Sequence, residues 1–144
     1  MNLFGVLDVS SGALKAERLR AEVVAANLAN AETTRTAQGG PYVRQQVVFS
    51  SASNLRFGDL IGNLADNNVP SVQVSGPVSD PTPPVLRYEP GHPDANPEGM
   101  VAYPAINPVQ ELVDLMGAAR AYQLNTAAVT ATKNMIQQSL EILH

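Results

Sequence analysis

The sequence predicts an α+β protein. Two long terminal helices pair as an antiparallel coiled coil, and a small β-rich, proline-rich segment is inserted between them. Three observations carry this. Apolar residues recur at helical spacing at both ends of the 144-residue chain. That period stops at Glu32 and resumes at Asn107. All of the eleven prolines except Pro41 lie between Pro70 and Pro108, which rules out a continuous helix there. The chain therefore divides into residues 1–34, 35–106 and 107–144.

The C-terminal helix, Asn107 to Leu143, is apolar on two faces. Leu112, Leu115, Ala119, Tyr122, Thr126, Val129, Lys133, Ile136, Leu140 and Leu143 follow alternating three and four spacing and form a coiled-coil-like seam. Ala121, Leu124, Ala128, Ala131, Met135 and Ile142 lie on another face, and Arg120, Gln123, Thr130, Asn134 and Glu141 make the polar stripe. A helix on the surface of a monomer needs one apolar stripe; a helix with two must meet two neighbours. At about 1.5 Å per residue the rod is roughly 54 Å long, against about 30 Å for a small domain, so it projects from its own fold or is sheathed by other chains. Asn107 suits the N-cap, Pro108 the first helical position, and Gln110 a capping box. Glu111 and Asp114 place negative charge near the positive end of the macrodipole.

The N-terminal pattern runs from Leu3 to Asn30. Gly12, Ala16, Leu19, Val23, Ala26 and Asn30 follow the four–three spacing, with Leu14, Ala21, Val24, Ala25 and Leu28 opposite. Lys15, Arg18 and Glu22 fill one strip between these faces, and Glu17 and Arg20 fill the other. Lys15 or Arg18 is placed to pair with Glu22. Gly5 and Gly12 weaken the first turns, so a start near Asn2 and a start at Ser10 both fit. Asn30 suits a C-terminal stop, while Asn27 is either incidental or bonds a neighbouring backbone inside a packed bundle and fixes its register.

In the middle, Gln38-Gly39-Gly40-Pro41 is a turn. Tyr42–Ser50, Val69–Ser75 and Val85–Tyr88 are candidate strands, and Asn54–Asn67 is a short amphipathic piece weakened by Gly58 and Gly62. Glu89, His92, Asp94 and Glu98 are the only clustered polar chemistry. With a lone His and no paired spacing on a rigid element, they read as a turn capped by Asp94 and Asn96 rather than a metal site. No GxSxG and no phosphate loop is present, so neither a catalytic site nor a cofactor site is assigned.

Composition narrows the partners. Net charge is −4 with nine Lys plus Arg and no basic cluster, which argues against nucleic acid and anionic membranes. Zero Cys excludes thiol chemistry and disulfides. No apolar run approaches the ~18 residues needed to span a bilayer. The first basic residue is Lys15, so the charged start of a secretory signal is missing, which fits a cytoplasmic chain or one that leaves without a cleaved signal.

These motifs resemble the flagellar axial proteins of the rod and hook family, and within it the proximal rod type. The terminal motifs are Ser11-Gly12-Ala13-Leu14, Arg18-Leu19-Arg20, Ala26-Asn27-Leu28-Ala29-Asn30-Ala31, Asn107-Pro108-Val109-Gln110-Glu111-Leu112-Val113-Asp114 and Ala119-Arg120-Ala121-Tyr122-Gln123. The internal ones are Pro41-Tyr42-Val43-Arg44, Val47-Val48-Phe49, Tyr88-Glu89-Pro90-Gly91-His92-Pro93-Asp94-Ala95 and Gly99-Met100-Val101-Ala102-Tyr103-Pro104. The resemblance implies a non-enzymatic structural subunit of the basal-body rod. Such a subunit is exported through the flagellar type III apparatus without signal cleavage. It polymerises with itself and other rod proteins round the export channel, transmits torque, and has no small-molecule substrate. The residues then assigned to subunit packing are Leu14, Leu19, Val23, Asn27, Leu28, Asn30, Leu112, Leu115, Tyr122, Leu124, Val129, Met135, Ile136 and Leu140. Two readings from other classes compete with it: a cytoplasmic helical adaptor or export chaperone, and a small metal-dependent enzyme.

Overall fold

A computed structural model describes residues 3–51 and 72–142. The amphipathic piece expected at Asn54–Asn67, and the first residues of the strand expected from Val69, lie outside the described residues. The elements in order are α1 (Leu3–Ala29), β1 (Gln45–Ser51), β2 (Val72–Ser79), β3 (Val85–Tyr88), β4 (Met100–Tyr103) and α2 (Pro108–Glu141). The α+β class is as predicted, with two long helices and two small antiparallel sheets, β1–β2 and β3–β4.

Helix α2 starts where its capping residues dictate. The Asn107 side chain accepts a hydrogen bond from the Val109 N–H at 3.0 Å, and Pro108 opens the helix. It runs for 34 residues, about 51 Å, and α1 for 27, about 40 Å. The two pack side by side and antiparallel. Asn27 near the end of α1 meets Glu111 at the start of α2, and Arg20 meets Asp114.

The α2 face turned to α1 differs from the expected seam. Its least exposed residues include Glu111, Leu115, Ala118, Asn125, Val129, Thr132 and Ile136. Leu115, Val129 and Ile136 belong to the seam as expected. Glu111, Ala118, Asn125 and Thr132 replace Leu112, Ala119, Thr126 and Lys133, each one residue earlier. Small or hydrogen-bonding side chains at these alternate positions let the two backbones approach. Thr132 is satisfied locally by donating to the Ala128 carbonyl at 2.9 Å. The larger apolar side chains consequently turn away from α1.

Helix α1 carries two apolar faces, as its spacing predicts. Its two covered flanks both find partners within the chain, α2 on one and the β1–β2 ribbon on the other. Exposed positions fall on one strip that includes Asp8, Ser11, Lys15, Arg18 and Glu22. Within it Arg18 pairs with Glu22 at 2.9 Å, as the spacing foretold.

The ribbon lies along α1 because the lengths match. Gln45 bonds Asn27 at one end, and Val72, paired with Ser51, approaches Gly12 at the other. The helix between Gly12 and Asn27 rises about 22 Å, and a strand the length of β1 spans about 20 Å. A Cβ on Gly12 would sit 3.1 Å from the Val72 carbonyl oxygen, so any larger residue would push the ribbon outward by a few tenths of an ångström. The register shifts between Val47 and Val48, leaving Gly76 unpaired next to Pro77. That bulge accommodates a proline within the strand.

Of the second hairpin, β3–β4, the sequence predicts only β3; β4, Met100–Tyr103, is not among the candidate strands. Its buried side chains come from β4, where Val101 and Tyr103 are covered while β3 is exposed along its length. Gly99, with φ of +77°, closes the loop between them, and a Cβ there would lie 2.9 Å from a Tyr88 ring carbon. Gly99→Ala is expected to lower stability by about 1–3 kcal/mol, visible as a reduced thermal midpoint, because the new methyl meets both an unfavourable backbone region and the Tyr88 ring.

Candidate assembly surface

The chain offers a polar joint inside and an apolar surface outside. The joint is centred on Asn27, a side chain 1% exposed. Its amide nitrogen donates to the Gln45 carbonyl at 2.8 Å and to Glu111 Oε2 at 3.1 Å. Its amide oxygen accepts from the Gln45 N–H at 2.9 Å and from the Tyr42 hydroxyl at 3.1 Å. This one side chain therefore continues the β ladder from helix to strand and fixes the first turn of α2. Of the two sequence readings of Asn27, the register-fixing one describes what it does, though the backbone it bonds belongs to its own chain.

Glu111 is equally buried and is neutralised by Arg44, whose Nε donates to Glu111 Oε1 at 2.7 Å. Arg44 Nη1 reaches Asp80 Oδ2 at 3.2 Å. Asp80 further accepts from the Thr82 N–H and hydroxyl and from Gln46 Nε2. Arg44 immediately precedes β1 and Asp80 immediately follows β2, so the pair clamps the open end of the ribbon onto α2. Burial alone would lower the Arg44 guanidinium, but the hydrogen bonds and charges of Glu111 and then Asp80 outweigh it and hold it above its ordinary value. Burial, aided by the Glu111 charge, pushes the Tyr42 hydroxyl up. The Thr82 hydrogen bonds, and then Arg44 and Gln46, hold the Asp80 carboxyl below the usual aspartate value.

Sequence reasoning assigned Glu111 only a dipole role and left Arg44 and Asp80 unassigned. No local pattern connects residues 27, 44, 80 and 111. The one available signal was chemical: an isolated Arg within a predicted strand in a chain poor in basic residues.

A second set of contacts ties the β3–β4 loop to the segment after α1. Thr34 donates to Asp94 Oδ2 at 2.8 Å, and Arg35 reaches Asp94 Oδ1 at 3.4 Å. The Asp94 N–H donates to His92 Nδ1, and the Asn96 side chain accepts from the Glu98 and Met100 N–H groups. Tyr103 is held by a hydrogen bond to Glu89 and by the Arg87 guanidinium 4.5 Å from its ring centre. Among the described residues, no group of three or more His, Asp or Glu is placed to hold a metal ion.

The outside of α2 is the larger feature. Val109, Leu112, Val113, Met116, Leu124, Met135, Leu140 and Ile142 are all exposed. The residues assigned to subunit packing separate accordingly. Leu112, Tyr122, Leu124, Met135 and Leu140 are exposed, Leu124 at 65%. Leu14, Leu19, Leu28, Asn30, Leu115, Val129 and Ile136 are half-buried, while Val23 and Asn27 are buried within the chain itself. Among the described residues no helix is long and apolar enough to cross a membrane. An apolar face of this extent is the mark of a subunit completed by other protein.

Residues 7–35 match the family of flagella basal body rod proteins, and residues 98–142 match the flagellar basal body rod FlgEFG protein C-terminal family. The sequence is 38% identical over 150 residues to the flagellar basal-body rod protein FlgC of Borreliella burgdorferi, with 99% of each chain covered. It is 39% identical over 149 residues to that of Bacillus subtilis, again over 99% of each, and 34% identical over 142 residues to that of Escherichia coli O157:H7, over 99% of this chain and 98% of the relative. Chain architecture and matches together define a flagellar axial component, a structural subunit of the basal-body rod and not an enzyme. The chain belongs to the FlgC family of flagellar basal-body rod proteins.

Two predictions follow from the polar joint. Asn27→Ala leaves the Gln45 N–H and carbonyl and one Glu111 oxygen without partners, and is expected to cost about 3 kcal/mol in chemical denaturation. Asp80 titrates lower in the folded chain than in the unfolded one. Its contribution is therefore complete above the ordinary aspartate value of 3.8 and is lost as pH falls through the lowered folded value. Urea midpoints measured across the acid range should fall less steeply in Asp80→Asn than in the parent chain.

Proposed function

We propose that this subunit polymerises through its terminal helices. Residues 1–34 and 107–144 form an antiparallel coiled-coil layer round the export channel, and residues 35–106 lie outside it. The array so formed is the proximal rod, which carries torque. Its partners are further copies of the chain and other rod proteins, reached through the flagellar type III export apparatus without a cleaved signal. Contacts that do not close on themselves extend into a filament.

The observation that carries this reading is the uncovered side of α2. The chain buries one face of that helix against α1 and leaves large aliphatic side chains on the other, from Val109 to Ile142. In an unpartnered chain this surface meets water, at about 25 cal/mol for each Å² that a neighbour would otherwise cover. An adaptor or chaperone that binds one partner helix needs a single open groove, not an apolar face running along the whole helix.

Leu124→Asp tests this directly. The side chain is exposed in the isolated subunit, so the substitution should leave thermal stability within about 0.5 kcal/mol of the parent. It should abolish incorporation of the chain into basal bodies isolated from cells. Normal incorporation of a correctly folded Leu124→Asp chain would remove α2 from the packing layer.

A further inference from the structure

Two features of the helical pair fit each other and cannot meet within one chain. The first is a groove of about 470 Å³ between α1 and α2, lined by Glu17, Arg18, Ala21, Ala118, Ala119, Tyr122 and Gln123. Its small residues make it concave. Among its lining residues is Glu17, whose Oε2 is buried and accepts no hydrogen bond. The nearest cation to that oxygen, Arg20 Nη1, is 3.9 Å away, and Arg20 is bonded to Asp114 at 3.3 Å. Arg18, on the same wall, is engaged by Glu22. A buried carboxylate oxygen with no donor costs free energy until one is supplied.

The second feature is a stripe on the opposite side of α2. Val109, Val113, Met116 and Arg120 follow four–three–four spacing, and at 100° per residue they point away from the seam that meets α1. All four are exposed, and among the described residues Arg120 enters no ion pair. An apolar ridge that ends in a cation thus matches a groove of small side chains that carries an anion.

Resting on the reading that subunits assemble through their helices, we propose that the Val109–Arg120 ridge of one copy seats in the α1–α2 groove of a second copy, with Arg120 pairing with the Glu17 carboxylate, whose side chain remains 18% exposed. The guanidinium suits this role. Its fork satisfies a carboxylate and its flat face stacks on Tyr122. The two surfaces differ, so each copy offers a ridge to one neighbour and a groove to another, and the contact propagates rather than closing into a dimer.

The chain has no cysteine, which makes the test direct. Basal bodies are isolated from cells expressing the full chain with E17C and R120C together, oxidised, and run without reductant. Within one copy the two positions face apart, so the expected result is a ladder of dimers, trimers and higher species that collapses on reduction. Each single variant should give no ladder. Assembled basal bodies that contain the double variant but show no ladder would overturn the pairing. Should the double-cysteine chain fail to incorporate, charge exchange decides the matter. E17R and R120E are each expected to reduce swimming at least tenfold, and the combined variant to restore it; failure of the combination to restore swimming rejects the pairing. Val113→Asp separates the two levels of inference. Loss of incorporation by Val113→Asp without any Glu17–Arg120 coupling keeps helix-driven assembly and discards this contact. Unimpaired incorporation of Val113→Asp removes both.

Discussion

A carboxylate taken out of water must be given a cation and hydrogen-bond donors, or it will not stay ionised and buried. Glu111 imposes that condition on this chain. It lies in the first turn of α2, wholly enclosed, with Arg44 on one oxygen and the Asn27 amide on the other. Arg44 brings the start of β1 and, through Asp80, the end of β2. Asn27 brings the end of α1. Three segments far apart in sequence are placed by one charged group, and apolar contacts then extend the placement along the helices and ribbon. Apolar packing alone would tolerate sliding of α1 on α2 by a turn. The hydrogen bond from Asn27 to Glu111 does not, and the two bonds of opposite sense between Asn27 and Gln45 hold α1 against β1 in the same way.

This arrangement explains which parts of the fold were legible in the sequence. Both helices were, because their signals are local: the Asn107-Pro108 cap, the long apolar period and the run of prolines that interrupts it. β3 was legible through its β-branched and aromatic residues. β4 was not, because its four residues follow a Pro/Gly-rich loop and gain their strand character only from pairing with β3. The α2 seam was placed one residue off at alternate positions. The three–four frame that starts at Leu112 runs through Ala119, Thr126 and Lys133, whereas the structure turns Glu111, Ala118, Asn125 and Thr132 inward, side chains that are small or specifically hydrogen-bonded. α1 was rightly read as covered on two sides, but one side is met by the chain's own ribbon, whose position depends on Gly12 and on the Arg44 clamp. The joint itself was invisible to any periodicity argument, since its members are linked only in three dimensions.

Much of the uncovered apolar surface lies on α2, and further exposed apolar side chains, among them Phe49, Val78 and Leu86, lie on the two sheets. Membership of the FlgC family makes this intelligible, since a rod subunit has reason to leave its own core incomplete. The division of labour within the chain is chemical. Directional polar contacts face inward and set the shape of one subunit. Non-directional apolar surface faces outward, where it must fit neighbours.

The bulge at Gly76 and Pro77 carries a quieter consequence. Both two-stranded sheets leave two strand edges each, and an unblocked edge is an invitation to pair with any passing strand. In β2 the proline removes one backbone donor, and the skipped residue bends the edge out of register with a straight partner. In a subunit that assembles with other rod components, that irregularity disfavours stray strand pairing along β2.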